Sequence, residues 1–263
     1  MAKKTIFITG AGSGFGRGAA LGLAKLGHDV IAGTHVYPQV SELQEEAKKE
    51  NLKMRVEKID ILDPIDREFA LGWNIDVLVN NAAIGQAGPI AEIPVRLVRD
   101  VFETNMFATL ELTQGFVKKM VRRGKGKVIF ISSVDGLTTN SFLGPYDASK
   151  HALEAIAEAM HMELAPYGVK IATLNPGSYL TGFNDRMYET KWRWYDPKVN
   201  FTRIKDMSKV EKEDLADQYN PKDLVKIMVE LIAADESKFR NVHPKDSELY
   251  VKDFQKKAWT LMS

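Results

Sequence analysis

Short apolar runs that alternate with helical patterns are the feature of this 263-residue sequence that most constrains its fold. Continuous apolar strands between helices indicate a parallel sheet that is buried on both faces. The strands are predicted at residues 6–8, 30–32, 54–59, 77–79, 128–131 and 169–174. Helices are predicted at residues 19–26, 41–51 (with Ser41 as N-cap), within 93–119, and at 149–164. The pattern predicts an α/β protein with a doubly wound, Rossmann-type sheet in three α/β/α layers, as a single domain over residues 1–263.

A glycine-rich turn follows the first predicted strand and precedes the first predicted helix. Residues 9–16 read Thr-Gly-Ala-Gly-Ser-Gly-Phe-Gly, so Gly10, Gly14 and Gly16 stand in a Gly-x-x-x-Gly-x-Gly spacing. Glycines let the backbone approach a pyrophosphate, and the N-terminus of the following helix favours its negative charge. The turn therefore predicts a dinucleotide site. The other interpretation is a turn that needs only positive φ angles.

A Tyr-x-x-x-Lys pair indicates proton-transfer chemistry. Tyr146 and Lys150 are four residues apart, and Ser133 stands thirteen residues before the tyrosine. Residues four apart share one face of a helix, and a neighbouring ammonium lowers the pKa of a phenol. We therefore expect Tyr146 to exchange a proton with an alcohol or ketone oxygen, to which Ser133 donates a hydrogen bond. The lysine has a second plausible role, which is to hold the ribose hydroxyls of a nicotinamide cofactor.

Composition argues against several other functions. Lys and Arg total 36 against 35 Asp and Glu, and no basic block suggests a nucleic-acid partner. The chain has no cysteine, and its five histidines show no metal-ligand spacing, so we expect no metal site. The first apolar run is too short for a signal segment, and no run approaches the length of a membrane span. We therefore expect a cytoplasmic protein that makes no membrane contact.

The order of these and further motifs resembles that of the short-chain dehydrogenases/reductases over residues 4–182. The further motifs are Asp60, Asn80-Asn81-Ala82-Ala83, Asn105, and Asn175-Pro176-Gly177 with Thr181. The resemblance implies that Asn105, Ser133, Tyr146 and Lys150 are the catalytic residues, with Asn105 holding a proton-relay water. It implies a nicotinamide cofactor contacted by Gly10, Ser13, Gly14, Phe15, Gly16, Arg17, Thr34, His35, Asp60, Ile61, Asn81, Ala82, Tyr146, Lys150, Pro176, Gly177 and Thr181.

The residues after the second strand bear on which nicotinamide cofactor is used. Family members that use NAD usually carry an acid at the position of Thr34, to bind the ribose 2′-hydroxyl. This sequence has no acid there, and Arg17 or His35 could reach a 2′-phosphate. Arg17 could equally be a solvated residue at the start of a helix. We therefore predict NADP, with NAD as the alternative.

Residues 178–220 form a long segment that is rich in aromatic residues and in charge. Such segments are usually lids or binding loops, so Tyr188, Trp192 and Trp194 are candidate substrate contacts. Asp135 stands two residues after Ser133, where it could bind a hydroxyl or amine of the substrate or be a solvated turn residue. The tail at residues 239–263 resembles hydroxysteroid- or retinol-dehydrogenase-like members, and this is weak evidence about the substrate.

These features predict a hydride-transferring oxidoreductase that acts on a small-molecule ketone or secondary alcohol. The alternatives are a non-catalytic NAD(P)-binding protein on the same fold and a lyase or epimerase of this family. The resemblance also implies that the helices within 93–119 and 149–164 form an oligomer interface. Ala152, Ala155 and Ala159 give the second helix a face of small side chains. We therefore expect a homodimer or a homotetramer.

Overall fold

Seven strands form one parallel sheet in the computed structural model, which describes residues 2–261. The strands are β1 (Thr5–Ile8), β2 (Asp29–Thr34), β3 (Arg55–Lys58), β4 (Val77–Asn80), β5 (Gly126–Ile131), β6 (Val169–Pro176) and β7 (Arg240–His243). Their order is β3-β2-β1-β4-β5-β6-β7, and every neighbouring pair is parallel. The order reverses between β1 and β4, which opens a crevice at the carboxyl ends of the strands. The predicted α/β fold class is confirmed.

Ten α-helices accompany the sheet within the described residues. They are α1 (Gly14–Lys25), α2 (Tyr37–Lys49), α3 (Pro64–Leu71), α4 (Val95–Phe102), α5 (Thr109–Arg123), α6 (Gly144–Leu164), α7 (Phe183–Glu189), α8 (Ile204–Ala216), α9 (Pro221–Ala233) and α10 (Lys245–Ala258). Side chains alternate along a strand, so Ile6 and Ile8 of β1 face one layer while Phe7 faces the other. The first layer holds α1, α2 and α9, and the second holds α3, α5 and α6. None of these helices combines the length and apolarity needed to cross a bilayer.

Several boundaries differ from the sequence prediction. Helix α2 begins at Tyr37, with Val36 as its N-cap, so Ser41 lies inside the helix and does not cap it. Helices α1 and α6 each begin five residues earlier than predicted, at glycines that have low helix propensity. The interval 93–119 holds two helices joined by a π-helical turn at Glu103–Ala108. Strand β7 was not predicted, because its four residues lack an apolar run.

The segment at residues 178–220 is closed at its base and contains two helices. Tyr179 and Tyr219 form a parallel bridge, with backbone hydrogen bonds between Leu180 N and Tyr219 O and between Tyr219 N and Ser178 O. Inside the loop, α7 is joined to α8 by the Tyr188 hydroxyl, which donates to the Asp214 carboxylate. The segment is therefore a folded insertion between β6 and α9.

Helices α1 and α9 pack closely because α1 presents glycines to α9. A Cβ at Gly18 would lie 2.7 Å from a methyl of Val225, and one at Gly22 would lie 2.7 Å from a methyl of Val229. This contact fixes the axis of α1, whose first turn forms one wall of the crevice. The core of the first layer therefore also positions the glycine-rich turn.

Leu224→Ala should lower the free energy of unfolding by about 2–5 kcal/mol, the usual cost of truncating a fully buried leucine. Leu224 lies in α9 and is completely inaccessible to solvent. Leu249→Ala on α10 is the control, because that side chain is 56% exposed. Urea denaturation of both variants measures the difference, and equal losses would contradict this description of the α1–α9 layer.

Candidate active site

A crevice of about 560 Å³ lies at the carboxyl ends of the strands. Most of the residues that the sequence predicted as functional line it. They are Gly10, Ser13, Gly14, Phe15, His35, Asp60, Ile61, Asn81, Ala82, Ser133, Asp135, Tyr146, Lys150, Pro176, Gly177, Thr181 and Tyr188. Six predicted residues do not line it, namely Gly16, Arg17, Thr34, Asn105, Trp192 and Trp194.

One end of the crevice is built by the glycine-rich turn and the end of β4. The Asn81 amide donates to the carbonyls of Thr9 (2.9 Å) and Gly10 (3.0 Å), which joins the two segments. A Cβ at Gly10 would lie 2.7 Å from Ala82 Cα, and one at Gly16 would lie 2.5 Å from the Asn81 amide nitrogen. The absence of a side chain at Gly16 therefore allows α1 to approach Asn81 closely, and Gly16 does not face the crevice.

The turn fits the pyrophosphate of a dinucleotide. Gly14 has a φ of +53°, and a Cβ there would make ordinary van der Waals contact with Thr181 Cβ at 3.6 Å, so both residues lie at the wall of the crevice. Ser13 is the N-cap of α1 but its side chain makes no capping hydrogen bond. The first backbone N–H groups of α1 are thus left for an anionic ligand, as at other helix N-termini that bind phosphate.

The other end of the crevice holds the predicted catalytic side chains. Tyr146 and Lys150 lie on one face of α6, and the lysine Nζ is 5.6 Å from the centre of the phenol ring. The Lys150 ammonium donates to the Ile131 carbonyl at 2.9 Å. The Ser133 hydroxyl donates to Asp135 Oδ2 at 3.1 Å. Serine, tyrosine and lysine therefore share one wall.

Burial, and not the lysine, dominates the acidity of Tyr146. Desolvation raises the pKa of the phenol well above its usual range, and the nearby Asp135 carboxylate raises it further. Burial also lowers the pKa of Lys150 to about 8, against the opposing pull of Glu154 and Asp135. The sequence predicted a lowered phenol pKa, but burial outweighs the neighbouring Lys150 ammonium in this structure, and the pKa is raised. Tyr146 is a protonated phenol at neutral pH, which is the form that donates a proton.

Comparison with known proteins agrees with this arrangement. Residues 4–192 match the short chain dehydrogenase family. The chain belongs to that family. It is 37% identical to an uncharacterized oxidoreductase, YusZ, of Bacillus subtilis over 189 residues, which cover 69% of this chain and 67% of that protein. It is 29% identical to the 3-ketodihydrosphingosine reductase of Bacteroides thetaiotaomicron, covering 98% of this chain and 94% of that protein.

Two solved structures show the same fold with a nicotinamide cofactor. A short chain dehydrogenase/reductase from Burkholderia phymatum, in complex with NAD, superposes with a TM-score of 0.83 at 21% identity, covering 98% of this chain and 95% of the other. A putative gluconate 5-dehydrogenase from Beutenbergia cavernae, with bound NADP, gives a TM-score of 0.76 at 26% identity, covering 92% and 95%. The chain is thus an oxidoreductase of a family that uses nicotinamide cofactors.

Asn105 lies behind the catalytic wall. Its amide accepts from Ile84 N (2.9 Å) and donates to Ile84 O (2.9 Å) and to Ser149 Oγ (3.0 Å). It sits in the π-helical turn between α4 and α5, a distortion that occurs frequently at functional sites. The structure therefore joins Asn105 to the helix that carries Tyr146, and leaves it 1% exposed.

Arg17, offered by the sequence as a contact to a 2′-phosphate, and Thr34, a predicted cofactor contact, do not line the crevice. The Arg17 guanidinium pairs with the Glu46 carboxylate of α2 at 2.5 Å. Thr34 is completely buried, and its hydroxyl donates to Glu57 O at 3.4 Å. The side chain that reaches the crevice at this point is His35, whose Nε2 lies 3.4 Å from Asp60 Oδ2.

The predicted tryptophan contacts also lie elsewhere. Trp192 is exposed and packs against Tyr195, whereas the half-buried Trp194 ring lies against Gly88, and neither indole lines the crevice. The predicted Tyr188 does line the crevice. The sequence analysis missed several lining side chains, among them Asn140, Asp214 and Tyr250. They come from separate loops and helices, so no motif links them.

A buried polar chain supports the catalytic wall and was also missed. Asn175 donates to Ser133 O (3.0 Å) and to Glu154 Oε1 (2.6 Å). The other Glu154 oxygen lies 3.0 Å from the Arg240 guanidinium of β7. The sequence signal that could have indicated this role is the position of Glu154, which follows Lys150 by one helical turn. This chain ties the unpredicted strand β7 to the loop of Ser133.

Asp147 is a buried carboxyl next to the site with one unsatisfied oxygen. Its Oδ2 accepts from Asn140 N at 2.7 Å, and its Oδ1 has no partner among the described residues. Burial, and then the charge of Asp135, raises its pKa to about 8. A carboxyl whose pKa is raised in the folded protein destabilises the fold as pH rises from its ordinary value toward the raised one.

Asp147→Asn should therefore raise the melting temperature more at pH 8 than at pH 5, because the variant removes a charge that the fold disfavours. Calorimetry at the two pH values measures the change, with Asp185→Asn on the exposed face of α7 as control. A stabilisation that is equal at both pH values would show that Asp147 does not titrate in this way.

Proposed function

We propose that this enzyme is a nicotinamide-dependent reductase of ketones, and in reverse a secondary-alcohol dehydrogenase. The observation that carries the proposal is that the buried Tyr146, Ser133 and Lys150 line the same crevice as the glycine-rich turn. The name of the Bacteroides relative, a reductase of 3-ketodihydrosphingosine, supports a carbonyl substrate.

The chemistry follows from the positions of three groups. When bound, the nicotinamide supplies the hydride for the carbonyl carbon or accepts it from the alcohol. When the substrate binds, the Ser133 hydroxyl turns from Asp135 Oδ2 and donates to the carbonyl oxygen, and Tyr146 transfers its phenol proton to that oxygen. Lys150 lies beneath the phenol and stabilises the phenolate that is left, because an opposite charge favours the ionised form. Asn105 acts through Ser149 and the backbone of Ile84, and so positions this wall.

NADP(H) is the proposed cofactor, and NAD(H) is the alternative. In support, no acidic side chain ends β2, and His35 reaches the crevice together with Gln39. The carbonyl oxygens of Thr9 and Gly10 are held by Asn81, which keeps the turn open for the phosphates. His35, in place of Arg17 or Thr34, is the proposed neighbour of the 2′-phosphate.

Tyr146→Phe should lower kcat by at least about 100-fold, which is the usual worth of a positioned acid. Its cofactor affinity should stay within a few-fold of the wild type, since only the hydroxyl is removed. The assay follows NADPH absorbance at 340 nm with a panel of ketones, and cofactor binding is measured by calorimetry. Tyr167→Phe is the control, since that side chain is 55% exposed. Full turnover without the Tyr146 hydroxyl would refute the proposal.

NADPH should give a higher kcat/KM than NADH, and His35→Asp should reverse the preference because a carboxylate repels the 2′-phosphate. Steady-state kinetics with both cofactors measures the ratio. His161→Asp, at an exposed position on α6, is the matched control and should leave the ratio unchanged. A wild-type preference for NADH would favour the alternative cofactor.

We also propose a homodimer or homotetramer built through α5 and α6. Leu153 and Ala157 of α6 are buried in the subunit, whereas Ala155 is exposed and leaves a flat surface for a second helix. Closed two-fold symmetry is the commonest solution for such a face. Light scattering should give a multiple of the chain mass of 29.5 kDa, and a monomer at micromolar concentration would contradict the assembly.

A further inference from the structure

Asp135 is a carboxylate in the wall of the crevice, next to the catalytic serine. Its Oδ2 accepts from the Ser133 hydroxyl at 3.1 Å, and its Oδ1 accepts from the Asn140 amide at 2.8 Å. These contacts hold the carboxylate beside the catalytic side chains. Each carboxylate oxygen accepts more than one hydrogen bond, so Asp135 keeps free acceptor capacity. The sequence left open whether Asp135 is a solvated turn residue, and the structure places it on the crevice wall.

The charge of Asp135 is only partly balanced by the protein. A second carboxylate, Asp214, lines the same end of the crevice and is held there by the Tyr188 hydroxyl. Burial, together with the charge of Asp214, raises the pKa of Asp135 to about 6, although hydrogen bonds from Ser133 and Asn140 and the charge of Lys150 oppose the rise. A desolvated carboxylate whose charge is partly offset remains costly, and a bound cation lowers that cost.

Three basic side chains line the crevice. The charge of Lys150 acts on Asp135, but its ammonium is hydrogen-bonded to Ile131 O beneath Tyr146. His35 lies against Asp60 at the cofactor end, and Arg186 is exposed on α7, beside Gly182. A ligand cation is therefore the partner that could pair with Asp135 directly.

We propose that Asp135 is a specificity-determining residue, which binds an ammonium group on the carbon next to the reacting carbonyl. The proposal rests on the proposed reduction of ketones. With the Ser133 hydroxyl turned to the carbonyl oxygen, Asp135 Oδ2 is free to accept from a nitrogen on the adjacent carbon, which lies within hydrogen-bond reach of the carboxylate. An ammonium brings a positive charge to this bond, whereas a hydroxyl brings only a neutral hydrogen-bond donor.

The substrate class that this geometry selects is an α-amino ketone with an apolar substituent. Leu143, Phe183 and Met187 line the crevice beside the catalytic wall and offer apolar surface to that substituent. In the reaction, the carbonyl carbon gains a hydride from the reduced cofactor, and its oxygen gains the proton of Tyr146. The ammonium remains unchanged throughout, and the product is a β-amino alcohol.

The test compares three ketones that differ in one group. They are 2-amino-1-phenylethanone, 2-hydroxy-1-phenylethanone and 1-phenylethanone, reduced by the enzyme with NADPH near neutral pH. The aminoketone should have a kcat/KM at least about 10-fold above that of the unsubstituted ketone, a factor equal to roughly 1.4 kcal/mol. Asp135→Asn and Asp135→Ser should each bring this ratio to near one. Glu68→Gln, an exposed carboxylate on α3, should leave the ratio unchanged.

A binding measurement separates failure of this inference from failure of the proposed function. Calorimetry titrates the same three ketones into the enzyme loaded with NADP⁺, where no turnover is needed. Tighter binding of the aminoketone that is lost in both Asp135 variants supports the inference, whether or not turnover is seen. If wild type reduces all three ketones equally, or binds them equally, the inference is overturned while ketone reduction stands. If it reduces none of them, the proposed function fails and the binding result alone decides the role of Asp135.

Discussion

The bond of the Asn81 amide to the glycine-rich turn is the contact on which the crevice depends. It joins the end of β4 to the end of β1 across the point where the strand order reverses. The approach is possible because Gly10 and Gly16 have no side chain to collide with Ala82 or Asn81. With these segments fixed, the N-terminus of α1 faces the crevice, and the glycine contacts of α1 with α9 hold it there.

On the opposite wall of the crevice, desolvation determines the acidity of the catalytic tyrosine. Tyr146 is buried beside carboxylates, and its phenol keeps its proton because the phenolate would lie in a poorly solvated and negative environment. Such a group suits the reductive direction, in which the oxygen of the substrate takes up a proton. Asn175, Glu154 and Arg240 form the buried chain that holds the Ser133 loop against this wall. The chemistry of the wall is therefore set by packing as much as by the catalytic side chains.

Much of this arrangement could be predicted from the sequence, because periodicity and glycine spacing are local signals. The six apolar strands, the glycine-rich turn and the Ser133, Tyr146 and Lys150 wall are examples. The sequence offered Arg17 as a contact to the 2′-phosphate because its side chain is long. It could not show that Glu46 of α2 pairs with this arginine. The tryptophans were misplaced because aromatic density does not say which side of a loop faces the ligand. Asp214 and Tyr250 come from α8 and α10, and only the tertiary fold brings them to the crevice.

The central claim is that Tyr146 is a protonated acid at neutral pH because it is buried. Ultraviolet difference spectroscopy between the wild type and Tyr146→Phe, recorded from neutral pH to about 10, isolates the ionisation of this one phenol. Because burial raises the pKa of this phenol, we expect no phenolate signal in the difference spectrum up to about pH 10, which is the ordinary pKa of tyrosine. A phenolate signal that titrates near neutral pH would show that Lys150 outweighs burial, and would contradict the account.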